Sequence, residues 1–305
     1  MESRLKTKAE NILVFGASGL LGKCLIENYI KEKIIHAFLN KKKIRQKKLK
    51  FITNQKIEFL KDYINKHNIK VIINFAGLTN IELCEGNEKL SYQSNYILPI
   101  KLAILCREIG IDYVFISTDN FRFNFKKLSE SQTSKPVNNY GIHKRKSENA
   151  ILKIYPKSLI IRTNFYCIGS KKRKSFSDTI IKMLKSNNEI GLFKDVYYTP
   201  IYGKYLLKYM FDLIKKKKFG IFNICSNEKI TKFTFGQKIC KIFNLNKNFL
   251  KNTYLKKSKN LVRRPYNMSL NNYKIRKILN IKIPSINYQL RMMKKDLELQ
   301  KKRTI

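Results

Sequence analysis

Short apolar runs alternate with helix-period segments along most of this chain, and that alternation restricts the fold more than any other feature. The runs are NILVF (11–15), IIHAFL (34–39), VIINF (71–75), YVFIS (113–117), SLIIR (158–162) and GIFNI (220–224). Each is short and rich in β-branched residues, so each predicts a strand buried on both faces. Helix-period segments lie between them, near 20–31, 55–67, 91–109, 140–154, 174–187 and 203–215. Strands and helices in alternation predict an α/β fold, a doubly wound parallel sheet of the Rossmann type covered on both faces. Past about residue 165 the alternation loosens, which predicts a second, smaller, mostly C-terminal lobe. The expected division is 1–165 with the strand near 220–224 returning to the sheet, against 166–200 and 230–305. No internal repeat or low-complexity linker interrupts it.

The chain has 305 residues and 43% hydrophobic content, enough for one large core or two lobes. It contains no apolar stretch of about 18 residues, so no membrane span is expected. The start, MESRLKTKAE, is polar, and six cysteines are scattered singly with only three histidines beside them. Neither a zinc site nor a disulfide framework is predicted, and the expected setting is the reducing cytoplasm. A net charge of +43 invites a polyanion partner. Lysine, however, is spread through nearly every segment, and no nucleic-acid module accompanies it. Lysine as the general surface residue explains the charge better, and no specific nucleic-acid partner is expected.

Chemistry begins directly after the first strand. GASGLLG (16–22) opens a helix with glycines spaced G-x-x-G-x-x-G. Gly16 permits a tight turn, Gly19 lets backbone N–H groups approach a pyrophosphate, and Gly22 lets helix and strand pack closely. The end of the second strand reads FLNKKK. An acid there would hold a ribose 2′-hydroxyl; Asn40 and Lys41, followed by Lys42 and Lys43, suit a 2′-phosphate instead. NADP(H) is therefore the preferred cofactor and NAD(H) the alternative. The strand 113–117 runs into ISTDN (116–120), which aims Ser117, Thr118 and Asp119 at the ligand cleft of a doubly wound sheet. Tyr140 and Lys144 follow four residues apart, on one face of a helix that Asn138 or Asn139 can cap. A nearby ammonium is expected to lower the phenol toward working pH, giving a general acid for a carbonyl oxygen that Thr118 also holds.

Together GASGLLG, INFAGLT (73–79), YVFISTD (113–119), YGIHK (140–144) and LIIRTNF (159–165) resemble the extended short-chain dehydrogenase/reductases. The resemblance is closest to the dTDP-4-dehydrorhamnose reductase family and continues through FKDVYYTP (193–200), ICSNEKITKFTFGQKI (224–239) and RPYNMSL (264–270). It implies catalysis by Thr118, Tyr140 and Lys144. It implies a cofactor cradle of Gly16, Ser18, Gly19, Leu20 and Leu21, lined further by Ala76, Gly77, Leu78 and Thr163, with Tyr140 and Lys144 at its inner end. Substrate contacts would come from Thr79, Asp119, Asn164, Ser175, Phe176, the Tyr198–Pro200 stretch and Arg264, the last toward a nucleotide diphosphate.

The implied activity is reduction of a nucleotide-linked 4-keto-6-deoxy sugar, usually in surface polysaccharide synthesis, with no metal ligand cluster apparent. Two departures stand out. Asn120-Phe121-Arg122 replaces the usual Tyr-Val-Phe after STD, and Asn120 cannot supply the acid that dehydratases of this fold carry there. An epimerase that keeps its cofactor, or a non-catalytic dinucleotide-binding regulatory subunit, remains open. So does the oligomeric state, with a homodimer among the options.

Overall fold

Every strand of the expected sheet finds its partner in a computed structural model that describes residues 10–30, 34–38, 49–52, 56–124, 126–170, 173–258 and 260–302. The chain enters as β1 (Asn11–Phe15), turns through the glycine loop into α1 (Leu20–Tyr29), and returns as β2 (Ile34–Phe38). β3 (Leu49–Ile52), α2 (Ile57–Lys66) and β4 (Ile69–Asn74) follow. Two short helices, α3 (Ile81–Gly86) and α4 (Glu88–Tyr92), lead through a π-helical turn (Gln93–Ile97) into α5 (Leu98–Ile109). β5 (Asp112–Ile116), α6 (Asn139–Ile154) and β6 (Ser158–Arg162) complete this half.

The remaining chain leaves the sheet as β7 (Phe165–Tyr166), α7 (Phe176–Lys185), β8 (Ile190–Phe193), β9 (Tyr197–Tyr198) and β10 (Ile201–Tyr202). It comes back through α8 (Gly203–Lys215) and β11 (Gly220–Asn223). β12 (Ile230–Thr231), α9 (Lys232–Phe243), β13 (Leu250–Thr253), α10 (Tyr273–Leu279) and α11 (Ile286–Lys302) finish it.

Among the described residues seven strands form one sheet in the order β11-β6-β5-β4-β1-β2-β3. All neighbours are parallel. The order reverses between β1 and β4, and a crevice opens there beyond the carboxyl ends of the strands. Both faces are apolar, as the unbroken runs predict. Ile12, Val14, Ile35 and Ile161 pack toward Leu25 of α1 and Leu206 and Met210 of α8. Leu13, Ile72, Phe115 and Ile160 pack the other way, on Leu60, Leu102 and Ile151 of α2, α5 and α6. Each such fully buried aliphatic side chain contributes about 1.5–3 kcal/mol. A separate cluster joins Ile180 and Leu184 of α7, Phe235 and Ile239 of α9, and Leu290 and Met293 of α11.

Two sequence expectations need correction. β3 is a seventh strand absent from the apolar runs, because LKFI is short and carries Lys50 at its centre; it pairs with β2 from Ile35 opposite Leu49 to Phe38 opposite Ile52, and buries Leu49 and Ile52 on opposite faces of the sheet. The helix expected over 91–109 is present but carries a π turn, which widens it around buried Asn95. There the Asn95 amide satisfies the Leu78 backbone twice, its Oδ1 accepting from Leu78 N at 3.2 Å and its Nδ2 donating to Leu78 O at 2.9 Å. Such π insertions occur where a side chain must be re-aimed.

Candidate active site

The glycine loop forms one wall of a cleft of about 820 Å³ at the β1/β4 crevice. Gly16 sits at φ +78°, and a Cβ there would lie 2.6 Å from the Ala76 nitrogen. Only glycine lets this turn pass so close to the end of β4. At Gly22 a Cβ would meet the Ala17 carbonyl oxygen at 2.4 Å, so this glycine serves packing and does not line the cleft. Helix α1 begins after Gly19 with no side chain capping it. Its first-turn N–H groups, at the positive end of the helix dipole, are thus left to an anion or to water.

Opposite the glycines, Thr118 and Asp119 follow β5 and are both buried. Asn138, rather than Asn139, caps α6, its Oδ1 accepting from Gly141 N at 2.9 Å. The helix then places Tyr140 and Lys144 in the same cleft as Thr118. Lys144 Nζ donates to the Ile116 carbonyl at 2.9 Å and lies 4.5 Å from the Phe115 ring centroid. Burial pushes this ammonium down to about 8, against the pull of Glu148 one turn along.

The expected lowering of the Tyr140 phenol does not occur. Burial pushes it up to about 12, and the Asp119 carboxylate adds to that, while a hydrogen bond with Thr118 pulls the other way. Asp119 is itself raised to about 6 by burial, opposed by Lys232 and by Asn164, whose Nδ2 donates to Asp119 Oδ2 at 2.9 Å.

Gly16, Gly19, Leu20, Leu21, Ala76 and Gly77 line the cleft on the side of the glycine turn. Thr79, Asp119, Asn164, Ser175, Phe176 and Arg264 line it toward the smaller lobe. Not all of them offer a free side chain. Ser175 Oγ donates to the Cys167 carbonyl at 2.6 Å and belongs to the capping box that starts α7. Thr163 also reaches the cleft wall, but its hydroxyl donates to the Ile224 carbonyl at 2.7 Å, tying β6 to the chain leaving β11. Ser18 is exposed on the turn, and Leu78 is held through its backbone by Asn95; neither lines the cleft. Asn40 and Lys41 lie outside the described residues. Arg264 pairs with Glu82 through Nη2, while its Nε is buried with no hydrogen-bond partner among the described residues.

Several residues that the sequence did not single out complete the site. Lys232 and Arg173 also line the cleft. Behind the end of β5, Glu148 accepts from Ser117 Oγ at 2.5 Å, from Arg162 Nη2 at 2.7 Å and from Arg145 Nη1 at 3.0 Å. Glu148 and Arg162 are both fully buried, and their pairing joins α6 to β5 and β6. A Glu one turn beyond Lys144 and an Arg ending a strand were the available signals. No group of three or more potential metal ligands occurs among the described residues, and no helix among them is long and apolar enough to cross a membrane.

A parallel sheet reversing at β1/β4, a glycine turn at the reversal and a Tyr–Lys pair beside it are the features of the extended short-chain dehydrogenase/reductases. Within them, the chain belongs to the RmlD substrate binding domain family, which it matches over residues 10–299. It is 24% identical to the probable low-salt glycan biosynthesis reductase Agl14 of Haloferax volcanii, over 75% of this chain and 79% of that protein. The dTDP-4-dehydrorhamnose reductase of Bacillus anthracis, solved in complex with NADP, superposes with a TM-score of 0.83 at 23% identity, covering 95% of this chain and all of the other. A hypothetical dTDP-4-dehydrorhamnose reductase from Sulfolobus tokodaii superposes with a TM-score of 0.78 at 28% identity, covering 90% of this chain and 97% of that one. The chain is thus a distant homologue of sugar-nucleotide reductases.

Proposed function

We propose that this protein is an NADPH-dependent reductase of a nucleotide-linked 4-keto-6-deoxy sugar, of the dTDP-4-dehydrorhamnose reductase type. The observation that carries the reading is the convergence of Thr118, Tyr140 and Lys144 on one cleft with the glycine turn. In the same reading, 1–165 with β11 carries the cofactor, and 166–200 with 230–305 carries the substrate.

The residues present fit a dinucleotide. Gly16 and Gly77 leave backbone bare along the cleft wall, where a Cβ would meet Ala76 N at 2.6 Å and Asn95 Oδ1 at 2.8 Å respectively. The uncapped start of α1 suits a pyrophosphate. Gly16, Gly19, Leu20 and Leu21 would hold that part, and Ala76, Gly77 and Lys144 the inner end. When bound, the dinucleotide supplies the hydride.

The chain's own groups supply the rest. A phenol raised to about 12 is fully protonated at neutral pH, which is the form a carbonyl reduction requires of Tyr140. It holds the carbonyl oxygen together with Thr118 and gives up its proton as charge develops there. Lys144, buried and cationic below about 8, opposes the negative charge left on the phenol oxygen. The lysine-rich stretch after β2 favours NADPH over NADH. The names of relatives, a probable low-salt glycan biosynthesis reductase and a dTDP-4-dehydrorhamnose reductase, agree with a polysaccharide setting.

The test is NADPH absorbance with dTDP-, UDP- and GDP-linked 4-keto-6-deoxy sugars, wild type against Tyr140→Phe. Stoichiometric oxidation that falls by about 10²-fold or more in the variant is expected. Tight NADPH binding with no oxidation by any of these sugars would instead support a cofactor-retaining epimerase or a regulatory subunit.

A further inference from the structure

The cleft holds two titratable side chains that carry no step of the reduction. Lys232 opens α9, where the positive end of the helix dipole opposes its charge. Its ammonium lies 3.5 Å from the Tyr198 ring centroid and 5.0 Å from that of Phe176, in the cleft that also holds Thr118 and Tyr140. Asp119 directly follows Thr118, is buried, and lines the same cleft. Asn164 Nδ2 donates to its Oδ2 at 2.9 Å. The two charges act on each other electrostatically, yet among the described residues no ion pair or hydrogen bond joins them. Asp119 also acts on the Tyr140 and Tyr198 phenols, and Arg264 acts on Lys232.

Two buried opposite charges that only hold a fold together gain most in direct contact. A pair that lines one cleft without touching leaves room for a ligand group to enter between its members. Burial holds the Lys232 ammonium down to about 8, against the pull of Asp119 and with Arg264 adding to it. Near neutral pH about a tenth of it is free amine, the basic form that buried lysines supply in catalysis. A carbonyl whose oxygen is held by Thr118 and Tyr140 loosens the hydrogens on the adjoining carbons, because the enolate that forms is stabilised at the same oxygen. A bound keto sugar thus presents an acidified C–H in a cleft that contains a base.

We propose that Lys232 and Asp119 form a second proton-transfer pair of this cleft, one that removes and returns a hydrogen on the carbon next to the carbonyl of a bound keto sugar. The proposal rests on the reading of the cleft as a nucleotide-linked keto-sugar site. The Lys232 amine takes the proton. The C–H electron pair becomes the double bond of an enol, and the carbonyl π pair moves to the oxygen, which takes the Tyr140 proton. Asp119 opposes the new ammonium charge on Lys232. In reverse, the ammonium returns a hydrogen to the carbon and the enol oxygen returns its proton to Tyr140. The hydrogens of an ammonium interchange by rotation, so in D₂O the one returned is mostly deuterium. No hydride moves, so this exchange is separate from reduction.

The experiment follows the proton NMR signals of the hydrogens flanking the carbonyl of dTDP- and UDP-linked 4-keto-6-deoxyglucose in D₂O. The full chain is present with NADP⁺, which has no hydride to give, and NADPH oxidation by the same sugars is measured in parallel. Wild type is compared with Lys232→Met, Asp119→Asn and Lys241→Met, the last an exposed lysine on the same helix. Wild type should exchange hydrogen for deuterium faster than the protein-free sugar does, and the rate should rise with pH through about 8 as Lys232 becomes amine. Exchange should fall about 10²-fold or more in Lys232→Met, while NADPH oxidation by that variant falls less than about fivefold. Asp119→Asn should also slow exchange, and Lys241→Met should change neither rate. A wild type that reduces the sugar without exchange above the protein-free rate overturns the proposal. So does exchange that survives Lys232→Met, or an equal fall of both rates in that variant, which would mark the lysine as support for the cleft alone. If wild type neither exchanges nor reduces these sugars, the keto-sugar reading falls and this proposal with it. If it exchanges through Lys232 yet reduces no keto sugar, the reductase reading falls alone.

Discussion

Replacing Glu148 by glutamine removes one charge from a fully buried ion pair while keeping its volume. In the wild type the carboxylate receives Arg162 Nε at 2.9 Å and Nη2 at 2.7 Å, with Ser117 Oγ at 2.5 Å. Arg162 already carries one Nη1 without a partner among the described residues, so it has no second acceptor to fall back on. Breaking a buried pair by removing one member typically costs about 3–5 kcal/mol, because the other charge stays buried and uncompensated. Against a total stability of about 5–15 kcal/mol, that is a large fraction. Urea unfolding at neutral pH should show it as a lower midpoint at unchanged slope. The double variant Glu148→Met with Arg162→Met should recover most of the loss, since well-packed apolar side chains can replace a buried pair at little cost. A glutamine variant within about 1 kcal/mol of wild type would refute the reasoning. So would a double variant whose loss equals the sum of the losses of Glu148→Met and Arg162→Met, because the cycle would then show no coupling.

Two further perturbations test other parts of the site. Lys144 has a folded-state value of about 8 against about 10.5 unfolded, so above pH 8 the unfolded chain keeps a proton that the folded chain has lost, and stability rises with pH. Between pH 8 and 9.5 wild type should gain about 2 kcal/mol relative to Lys144→Met in parallel denaturations, and equal slopes in the two proteins would contradict the burial argument. Gly16→Ala would force a Cβ to within 2.6 Å of the Ala76 nitrogen at a positive φ. NADPH affinity followed by fluorescence titration should drop by at least about tenfold, and undiminished binding would show that the turn tolerates a side chain.

What the sequence made legible was what local pattern controls. Apolar runs of β-branched residues located six of the seven sheet strands, and glycine spacing after the first located the turn, because both depend on nearest neighbours. β3 escaped because Lys50 breaks its pattern and pairing with β2 makes the strand. The spacing of Tyr140 and Lys144 was readable, but their protonation was not. It is set by burial and by Asp119, Glu148 and Thr118, which come together only in the fold. Lys232 was hidden by abundance: in a chain with 64 basic residues, no sequence signal separates a lysine that lines the cleft 3.5 Å from the Tyr198 ring centroid from the lysines of the open surface.

The return of β11 to the sheet edge beside β6 has a consequence for dissection of the molecule. After β6 the chain departs for the smaller lobe, comes back through α8 and β11, and departs again. It visits the sheet once more with Ile275 and Leu279 of α10, which pack in the same cluster as Ile12 and Val14. No single cut therefore releases a self-sufficient sheet domain. A fragment ending near residue 165 would bare the β6 edge as a template for aggregation and strip Leu206 and Met210 from one face of the sheet. The two regions should melt as one cooperative unit. Exchanging the smaller lobe with a relative's would require five simultaneous junctions rather than one.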